Sequence, residues 1–372
     1  MKATKRIKSI NTSMVLYDLW QNGETSRVEI ARRLGLNKST ITHIINEFIE
    51  FKLVTEGSEG QASPQGGRKP VYLSLNRNFG SVLGIELRPD TYTALCVDLE
   101  GQIRYEKSEE ISASGENLSE TLLRIIEELR EEQNKIGLPL LGIGVGLSGV
   151  INPEQGIVKY SMSLGIYEDY NFQREIASRF DIPVFIENDA NCCSWGELTF
   201  HRTEYLKNFL FVLVEFRHLE GGEGQLRKSA VGLGIVIDGK IHYGREFSAG
   251  EFSSVFREPD SPGQFHTDTD KGFRIEEEPE VLNRFIVELS KNISLLVNAF
   301  NISQVFFGGD IEKYQDQVQS LLGEEIQRNW PYPNSVECEV RFSSQREKSV
   351  AYGAAGMMLD RLFSHPELII EE

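Results

Sequence analysis

Polar side chains cluster on one face of a predicted helix that follows Asn37. Four apolar residues recur at the spacing of a buried helix face: Ile41, Ile44, Ile45 and Phe48. The opposite face carries six side chains that donate or accept hydrogen bonds: Lys38, Ser39, Thr40, Thr42, His43 and Asn46. Such side chains can contact phosphate oxygens and the edges of bases. The pattern therefore predicts a helix that contacts nucleic acid, with Asn37 as its N-cap.

The preceding helix must hold that face in place. Ser26 and Glu29 match a capping box, in which each side chain satisfies the other residue's backbone amide, and Gly35 can end the helix in a left-handed conformation. A first helix is predicted to bury one apolar face: Ile7, Ile10, Met14, Leu16 and Leu19. Two helices joined by a Gly turn predict a helix-turn-helix, and we include Ser26 among its DNA contacts.

A β-wing is predicted after these helices. Strands at residues 51–55 and Val71–Leu75 would flank a loop rich in Gly and Ser. Two glycines let the loop backbone approach DNA closely, and the Arg68 and Lys69 side chains that follow can reach phosphates or a narrow minor groove. Residues 1–78 are therefore predicted to form a winged helix-turn-helix DNA-binding domain.

The charge distribution agrees with this prediction. The chain carries 39 Lys and Arg against 56 Asp and Glu, a formal net charge of −17. Residues 1–78 hold twelve cations and seven anions, whereas the rest of the chain holds 27 cations and 49 anions. A basic segment on an acidic body is typical of a nucleic-acid-binding module fused to a second function. The alternative is an ordinary three-helix bundle in which Lys38, Thr42 and His43 are merely solvated.

Composition and apolar patterning exclude several other classes. With 40% hydrophobic and 26% charged residues, this chain of 372 residues resembles a globular protein rather than a disordered or disulfide-rich one. Its apolar runs, such as residues 209–214, are too short to cross a bilayer, and no apolar signal segment follows the basic N-terminus. Its four cysteines form no C-x-x-C pair, so we expect reduced thiols, a cytoplasmic location and no membrane partner.

Beyond residue 80, short apolar strands alternate with amphipathic helices. Strands are predicted at residues 82–87, 93–99, 103–111, 140–147, 184–186, 209–214, 231–237 and 305–307. Helices are predicted at residues 118–136, 281–300, 314–328 and 352–362. This alternation predicts an α/β body in two lobes. We place the first lobe at residues 79–186 together with 345–372, and the second at 187–344.

Several motifs of the body resemble, in the same order, those of the ROK family of repressors, open reading frames and sugar kinases. They are Glu187-Asn-Asp-Ala-Asn191, Gly232-Leu-Gly-Ile-Val-Ile-Asp-Gly239, Ala249-Gly-Glu251, Phe307-Gly-Gly309 and Ala351-Tyr-Gly-Ala-Ala355. The resemblance implies a two-lobed, actin-like and ribonuclease-H-like sugar-kinase fold behind the winged helix-turn-helix. It also implies a repressor of carbohydrate-metabolism genes that binds double-stranded operator DNA as a homodimer or tetramer. A sugar-type effector would bind in a cleft between the lobes.

The sequence departs from the family's kinases at the phosphate loop. Those kinases have Asp-x-Gly-Gly-Thr after the first strand, whereas this chain reads Glu86-Leu-Arg-Pro-Asp90. Pro89 lacks an amide donor, and no glycine permits close approach to phosphates. Asp189 matches the family's catalytic base, but a base alone does not make a kinase. We therefore predict no enzyme activity and no cofactor, with Asp189 as a hydrogen-bond acceptor; a sugar kinase with a regulatory DNA-binding head is the alternative.

A second departure concerns the zinc site of many family members. Ser254 stands at the position of the family's zinc-binding His, and residues 256–274 contain no cysteine. His266 in that stretch supplies a single ligand, whereas structural zinc takes four. We therefore predict no metal site and an exposed His266.

The resemblance also implies the residues of the ligand cleft. Asn188, Asp189 and Glu251 match positions that hydrogen-bond sugar hydroxyls, and amides and carboxylates suit that task. Ser254 can donate one hydrogen bond, and Ser163 stands where many members have an Asn. The alternatives are a vestigial cleft, in which Asn188 and Asp189 only cap a helix, and a regulator that answers to a protein partner.

Overall fold

The computed structural model describes residues 2–59, 69–201, 206–218, 227–261, 263–267 and 278–369. Its first module, the head (residues 2–78), contains α1 (Lys2–Asn22), β1 (Thr25–Ser26), α2 (Arg27–Leu34), α3 (Lys38–Glu50), β2 (Val54–Glu59) and β3 (Val71–Leu75). The strands form an antiparallel sheet in the order β1–β3–β2. This arrangement confirms the predicted winged helix-turn-helix. The predicted wing tip, including Arg68, lies outside the described residues.

The start and end of α2 follow the predicted pattern. The Ser26 hydroxyl accepts from the Glu29 amide at 3.4 Å, and the Glu29 carboxylate accepts from the Ser26 amide at 2.9 Å. Gly35 ends the helix with a φ of 65°, a conformation that favours glycine. Asn37 stands at the N-cap of α3, but its side chain makes no capping hydrogen bond. The capping box of α2 is thus confirmed, whereas side-chain capping by Asn37 is not.

Two details of the head differ from the prediction. α1 buries Leu16 and Leu19 as expected, but it adds Val15 and Trp20 to the core and leaves Ile10 and Met14 exposed. The reason is tertiary, because α1 packs against the body as well as against α2 and α3. The strand predicted at residues 51–55 begins only at Val54, after a turn in which Lys52 has a φ of 61°.

The first lobe of the body, lobe I, is built on a five-stranded sheet. Its elements are β4 (Ser81–Leu87), β5 (Thr91–Asp98), β6 (Ile103–Glu110), α4 (Leu118–Ile136), β7 (Leu140–Leu147), β8 (Val150–Asn152), β9 (Ile157–Tyr160), α5 (Phe172–Ala177) and β10 (Val184–Asn188). The sheet order is β10–β7–β4–β5–β6. β4, β7 and β10 run parallel, so their carboxyl ends meet at one edge of the sheet.

The second lobe, lobe II, repeats a five-stranded sheet. Its elements are α6 (Asp189–Phe200), β11 (Phe209–His218), β12 (Arg227–Ile237), β13 (Lys240–Ile241), α7 (Pro279–Phe300), β14 (Gln304–Gly309), α8 (Gln315–Arg328) and β15 (Glu339–Phe342). The sheet order is β13–β12–β11–β14–β15. β11 and β12, which contain the predicted strands 209–214 and 231–237, pair in antiparallel orientation. Among the described residues, no helix is long and apolar enough to span a bilayer.

The last helix, α9 (Ser349–Ser364), packs tightly against lobe I and against α6. A Cβ atom at Gly84 of β4 would lie 2.0 Å from the Ala351 carbonyl oxygen, and one at Gly353 of α9 would lie 1.7 Å from the Cys192 carbonyl oxygen. Glycine is therefore required at both contacts, because any side chain would push the backbones apart.

α9 also connects the body to the head. Its Phe363 ring lies 4.7 Å from the Trp20 ring of α1, measured between centroids. Both side chains belong to one apolar cluster that continues to Leu95 and Val97 of β5. The head therefore shares a hydrophobic core with lobe I.

Candidate functional site

The polar face of α3 points to solvent. The four apolar residues of its opposite face are at most 2% exposed. Thr40 is half-buried, and the other predicted contacts around this helix are exposed: Asn37, Lys38, Ser39, Thr42, His43 and Asn46. The predicted orientation of α3 is thus confirmed, and its contact with DNA stays a prediction.

Local bonds hold this surface in place. Arg27, at the start of α2, bonds Glu56 of β2 at 2.9 Å and the Asn46 amide oxygen at 3.3 Å. His43 Nε2 lies 3.3 Å from a Glu47 carboxylate oxygen on the next turn of α3. These contacts fix α3 against α2 and the wing strand, which orients Lys38 and its neighbours as one rigid surface.

The other three predicted DNA contacts lie outside α3. Ser26 is buried, and its hydroxyl donates to the Glu29 carboxylate at 2.9 Å. We therefore withdraw Ser26 as a DNA contact, because its polar group is occupied inside the capping box. Lys69 is exposed shortly before β3, in a position that a wing residue would take. Arg68 lies outside the described residues.

The second site lies where the chain passes from lobe I to lobe II. Asn188 ends β10 and caps α6, since its side-chain oxygen accepts from the Asn191 amide at 3.0 Å. Its amide nitrogen donates to the Gly149 carbonyl at 3.0 Å. Asp189 opens α6 and accepts from the Ala190 amide through Oδ1 at 2.8 Å. Asn188 therefore caps α6, as the vestigial alternative supposed, and the role of Asp189 as an acceptor in the ligand site stays a prediction.

Asp189 lies close to β12 at Gly232, a residue without a side chain. A Cβ atom at Gly232 of β12 would lie 3.8 Å from Asp189 Oδ1. Burial raises the pKa of Asp189 to about 7, with the nearby Glu215 carboxylate adding to the effect and Arg217 opposing it. At neutral pH the protonated and the ionised form of this carboxyl are therefore both populated.

A chain of ion pairs lies beside Glu86-Leu-Arg-Pro-Asp90, the segment that stands in place of the family's phosphate loop. Arg88 Nε lies 2.6 Å from Glu86, and Arg88 Nη2 lies 2.6 Å from Glu215 of β11. Glu215 also pairs with Arg217 at 2.7 Å. Burial raises the pKa of Glu215, but Arg217 and Arg88 outweigh it, so its pKa lies below the usual value. Arg88 therefore bridges the two lobes through a charged Glu215.

Arg88, Glu215 and Arg217 were not predicted from the sequence as site residues. A signal was present, because Glu86-x-Arg88 and Glu215-x-Arg217 share a Glu-x-Arg spacing near the ends of two strands. Residues two apart in a strand point to the same face, so each pair presents both charges together. What the spacing does not reveal is that the fold brings Arg88 and Glu215 into contact.

The remaining predicted ligand residues differ in their burial and in their hydrogen bonds. Glu251 is exposed. Ser163 is half-buried and shares a hydrogen bond with Ser148 at 2.5 Å. Ser254 is buried, and its hydroxyl accepts from the Asn292 side chain at 3.1 Å and from the Phe256 amide at 3.2 Å. We therefore withdraw Ser254 as a ligand contact, because its hydroxyl stabilises the loop against α7.

His266 is exposed, as predicted. Within the described ranges, no group of three His, Cys, Asp or Glu side chains is placed to hold a metal ion. Residues 268–277 of the stretch where the family's zinc ligands would stand lie outside those ranges.

These features define a class of protein: a winged helix-turn-helix head on a two-lobed, actin-like α/β body. Residues 10–50 match the winged helix-turn-helix DNA-binding family, and residues 82–259 match the ROK family. The chain therefore carries a ROK family domain behind an N-terminal winged helix-turn-helix.

Known regulators are similar to this chain in sequence. It is 28% identical to the xylose repressor of Bacillus subtilis over 250 residues, which are 67% of this chain and 61% of the repressor. It is 24% identical to the DNA-binding transcriptional dual regulator NagC of Escherichia coli over 254 residues, which are 68% of this chain and 59% of NagC. The chain thus spans about three fifths of the length of these curated relatives.

Solved structures show the same fold. A ROK family transcriptional regulator, a homologue of the E. coli MLC protein, has a TM-score of 0.79 at 20% identity and covers 98% of both chains. A ROK family glucokinase from Streptomyces griseus, in complex with glucose and AMPPNP, has a TM-score of 0.57 at 18% identity. The match covers 75% of this chain and 99% of the glucokinase. The body therefore has the sugar-kinase fold.

Proposed function

We propose that this chain is a cytoplasmic transcriptional regulator, a repressor of sugar-metabolism genes that binds double-stranded operator DNA through its head. The observation that carries the proposal is the exposed polar face of α3, held rigidly in a winged helix-turn-helix. Helices of this kind place polar side chains in the major groove. Two heads fit a two-fold symmetric operator, so we expect a homodimer or tetramer. The similarity to the xylose repressor and to NagC supports the sugar-related role.

We further propose that a sugar-type effector binds beside Asp189. Asp189 Oδ1 accepts a helix amide, which leaves Oδ2 for a ligand hydroxyl, and the exposed Glu251 supplies a second carboxylate. Asn188 contributes its remaining amide hydrogen. Ligand-dependent movement of one lobe against the other would reach the head through α9, because the head and lobe I share one core.

The test of DNA binding begins with recovery of bound genomic fragments from the full chain, followed by fluorescence anisotropy on the recovered sites. Lys38→Ala should weaken binding and lower the salt slope by about one ion, since it removes one phosphate contact. Lys135→Ala on α4 is the matched control, because Lys135 is an exposed lysine of the body that pairs with Glu132. Loss of affinity equal in both variants, or no salt-sensitive site-specific complex, would refute the proposal.

A second candidate function, a sugar kinase, is favoured by one observation. Asp189 has a pKa of about 7, which suits a general base at neutral pH. Against it stands the Arg88–Glu215 bridge, which fills the region beside Pro89 where a phosphate loop would be needed. A coupled ATPase assay across a sugar panel distinguishes the two functions. Turnover that Asp189→Asn abolishes would favour the kinase.

A further inference from the structure

The end of the cleft beside Asp189 contains two arginines together with the carboxylates that neutralise them. Arg88 contacts both Glu86 and Glu215 at 2.6 Å, and Arg217 contacts Glu215 at 2.7 Å. The four groups therefore form one continuous network of two arginines and two carboxyls, in which Arg217 and Arg88 lower the pKa of Glu215 and burial raises the pKa of Glu86. The network joins β4 of lobe I to β11 of lobe II.

The network presents its arginines, and not its carboxylates, to solvent. Glu86 is 4% exposed and Glu215 is 7% exposed. The Arg88 and Arg217 side chains are 39% and 40% exposed. A ligand in the cleft therefore meets guanidinium groups whose charge is already balanced by acids beneath them.

Glu215 lies on the same side of its sheet as Asp189. Leu213 precedes Glu215 by two residues, and it pairs with Gly232, the residue that Asp189 approaches. Alternate residues of a strand share a face, so Glu215 points to the side on which α6 begins. The network therefore borders the position proposed for the sugar.

The charges around this position disfavour an anionic ligand. Asp189 and Glu251 place two more carboxyls beside a network in which each arginine already pairs with a glutamate, so a phosphate or carboxylate substituent would find no arginine without an acidic partner. Placing an anion in such a site costs free energy, because its hydration is lost without a counter-charge. Hydroxyl groups incur no such cost, and they form charge-assisted hydrogen bonds to both acids and arginines.

We propose that Glu215 makes the cleft selective for an uncharged sugar, because it neutralises Arg88 and Arg217 and so excludes phosphorylated and carboxylated sugars. This inference rests on the proposed sugar-binding function of the cleft. Glu215 is then the residue that determines the charge class of the effector. The proposal also predicts that removal of the Glu215 charge converts the site into one that binds anions.

Isothermal titration calorimetry on the full chain tests the proposal with D-xylose, D-glucose, glucose 6-phosphate and inorganic phosphate. The wild-type protein should bind at least one of the free sugars and neither phosphate compound. Glu215→Gln should gain affinity for glucose 6-phosphate by about tenfold or more, the effect of one charge-assisted hydrogen bond. Glu339→Gln is the matched control, since Glu339 pairs with Arg341 at 2.8 Å on the edge strand of the same sheet.

Three results would overturn the proposal: tighter wild-type binding of glucose 6-phosphate than of glucose, no binding of any of the four compounds, or a folded Glu215→Gln variant that gains no affinity for the phosphate ester. Circular dichroism reports whether the variant folds, and the wild-type comparison decides the question if it does not. DNA binding measured on the same samples reports the proposed regulatory function separately. A protein that binds DNA but prefers the phosphate ester would refute only the selectivity.

Discussion

Replacement of Gly353 by alanine should destabilise the protein by forcing α6 and α9 apart. These two helices meet where the lobes join, and Gly353 sits at their contact. The Cβ atom of an alanine at this position would lie 1.7 Å from the Cys192 carbonyl oxygen, whereas real Cβ atoms essentially never come within 3.0 Å of a neighbour. The helices must therefore separate by more than about 1 Å, and the contacting atom belongs to a helix backbone that cannot rotate away.

The expected magnitude follows from the rigidity of this contact. Overpacking in a close-packed interior costs about 1–3 kcal/mol, and more where the backbone must move. The gain in helix propensity from Gly to Ala offsets about 1 kcal/mol. Because the clash is with a backbone oxygen, we place the overpacking cost of Gly353→Ala above that range, at about 3–4 kcal/mol, which leaves a net loss in the free energy of unfolding of about 2–3 kcal/mol.

Gly323 on α8 provides the matched control. A Cβ atom there would have no neighbour within 4 Å, so Gly323→Ala should keep only the propensity gain of about 1 kcal/mol. Urea unfolding followed by far-ultraviolet circular dichroism should show a lower midpoint for Gly353→Ala and a higher one for Gly323→Ala. A Gly353→Ala midpoint equal to or above that of the wild type would refute the packing argument.

Two further substitutions test other parts of the molecule. Ser26→Ala removes the capping box of α2 and should destabilise the head by about 1 kcal/mol, which urea unfolding of the full chain measures; an unchanged midpoint would contradict the capping role. Burial raises the pKa of Asp360, which accepts a hydrogen bond from Tyr17, to about 6. The folded state therefore prefers the neutral acid, and this contribution is lost as pH rises from about 4 to about 6. Asp360→Asn should remove that loss and stabilise the protein at pH 7 relative to wild type by about 1–3 kcal/mol, an outcome that equal unfolding free energies at pH 7 would contradict.

The head shows how far local sequence signals reach. The capping box, the Gly35 terminus and the buried face of α3 depend on residues close in the chain, and the structure agrees with each of them. The buried face of α1 was predicted less well, because α1 packs on α9, which lies more than 300 residues later. Local periodicity cannot reveal a partner at that separation, so the exposure of Ile10 and Met14 was not foreseen.

The region around Asp189 shows the same contrast between features that local sequence signals predict and contacts that depend on the fold. The absence of a glycine-rich loop after β4 could be recognised from the sequence, whereas a helix beginning at Asp189 entered only through the alternative in which Asn188 and Asp189 cap a helix. The burial of Ser254 against α7 could not be recognised from the sequence, nor could the meeting of Arg88 with Glu215. These contacts depend on the fold of each lobe and on how the lobes face each other.

The sequence by itself determined the local elements, the basic head with its polar recognition face, and the loss of the phosphate-loop glycines. Capping, strand alternation and helix periodicity are properties of neighbouring residues, so they can be recognised without a fold. Only the tertiary structure decided that Glu86, Arg88, Glu215 and Arg217 form a single network of ion pairs between β4 and β11. A charge pair depends on distance in space, and residues 88 and 215 come within 2.6 Å only because the fold brings the ends of two strands from separate sheets together.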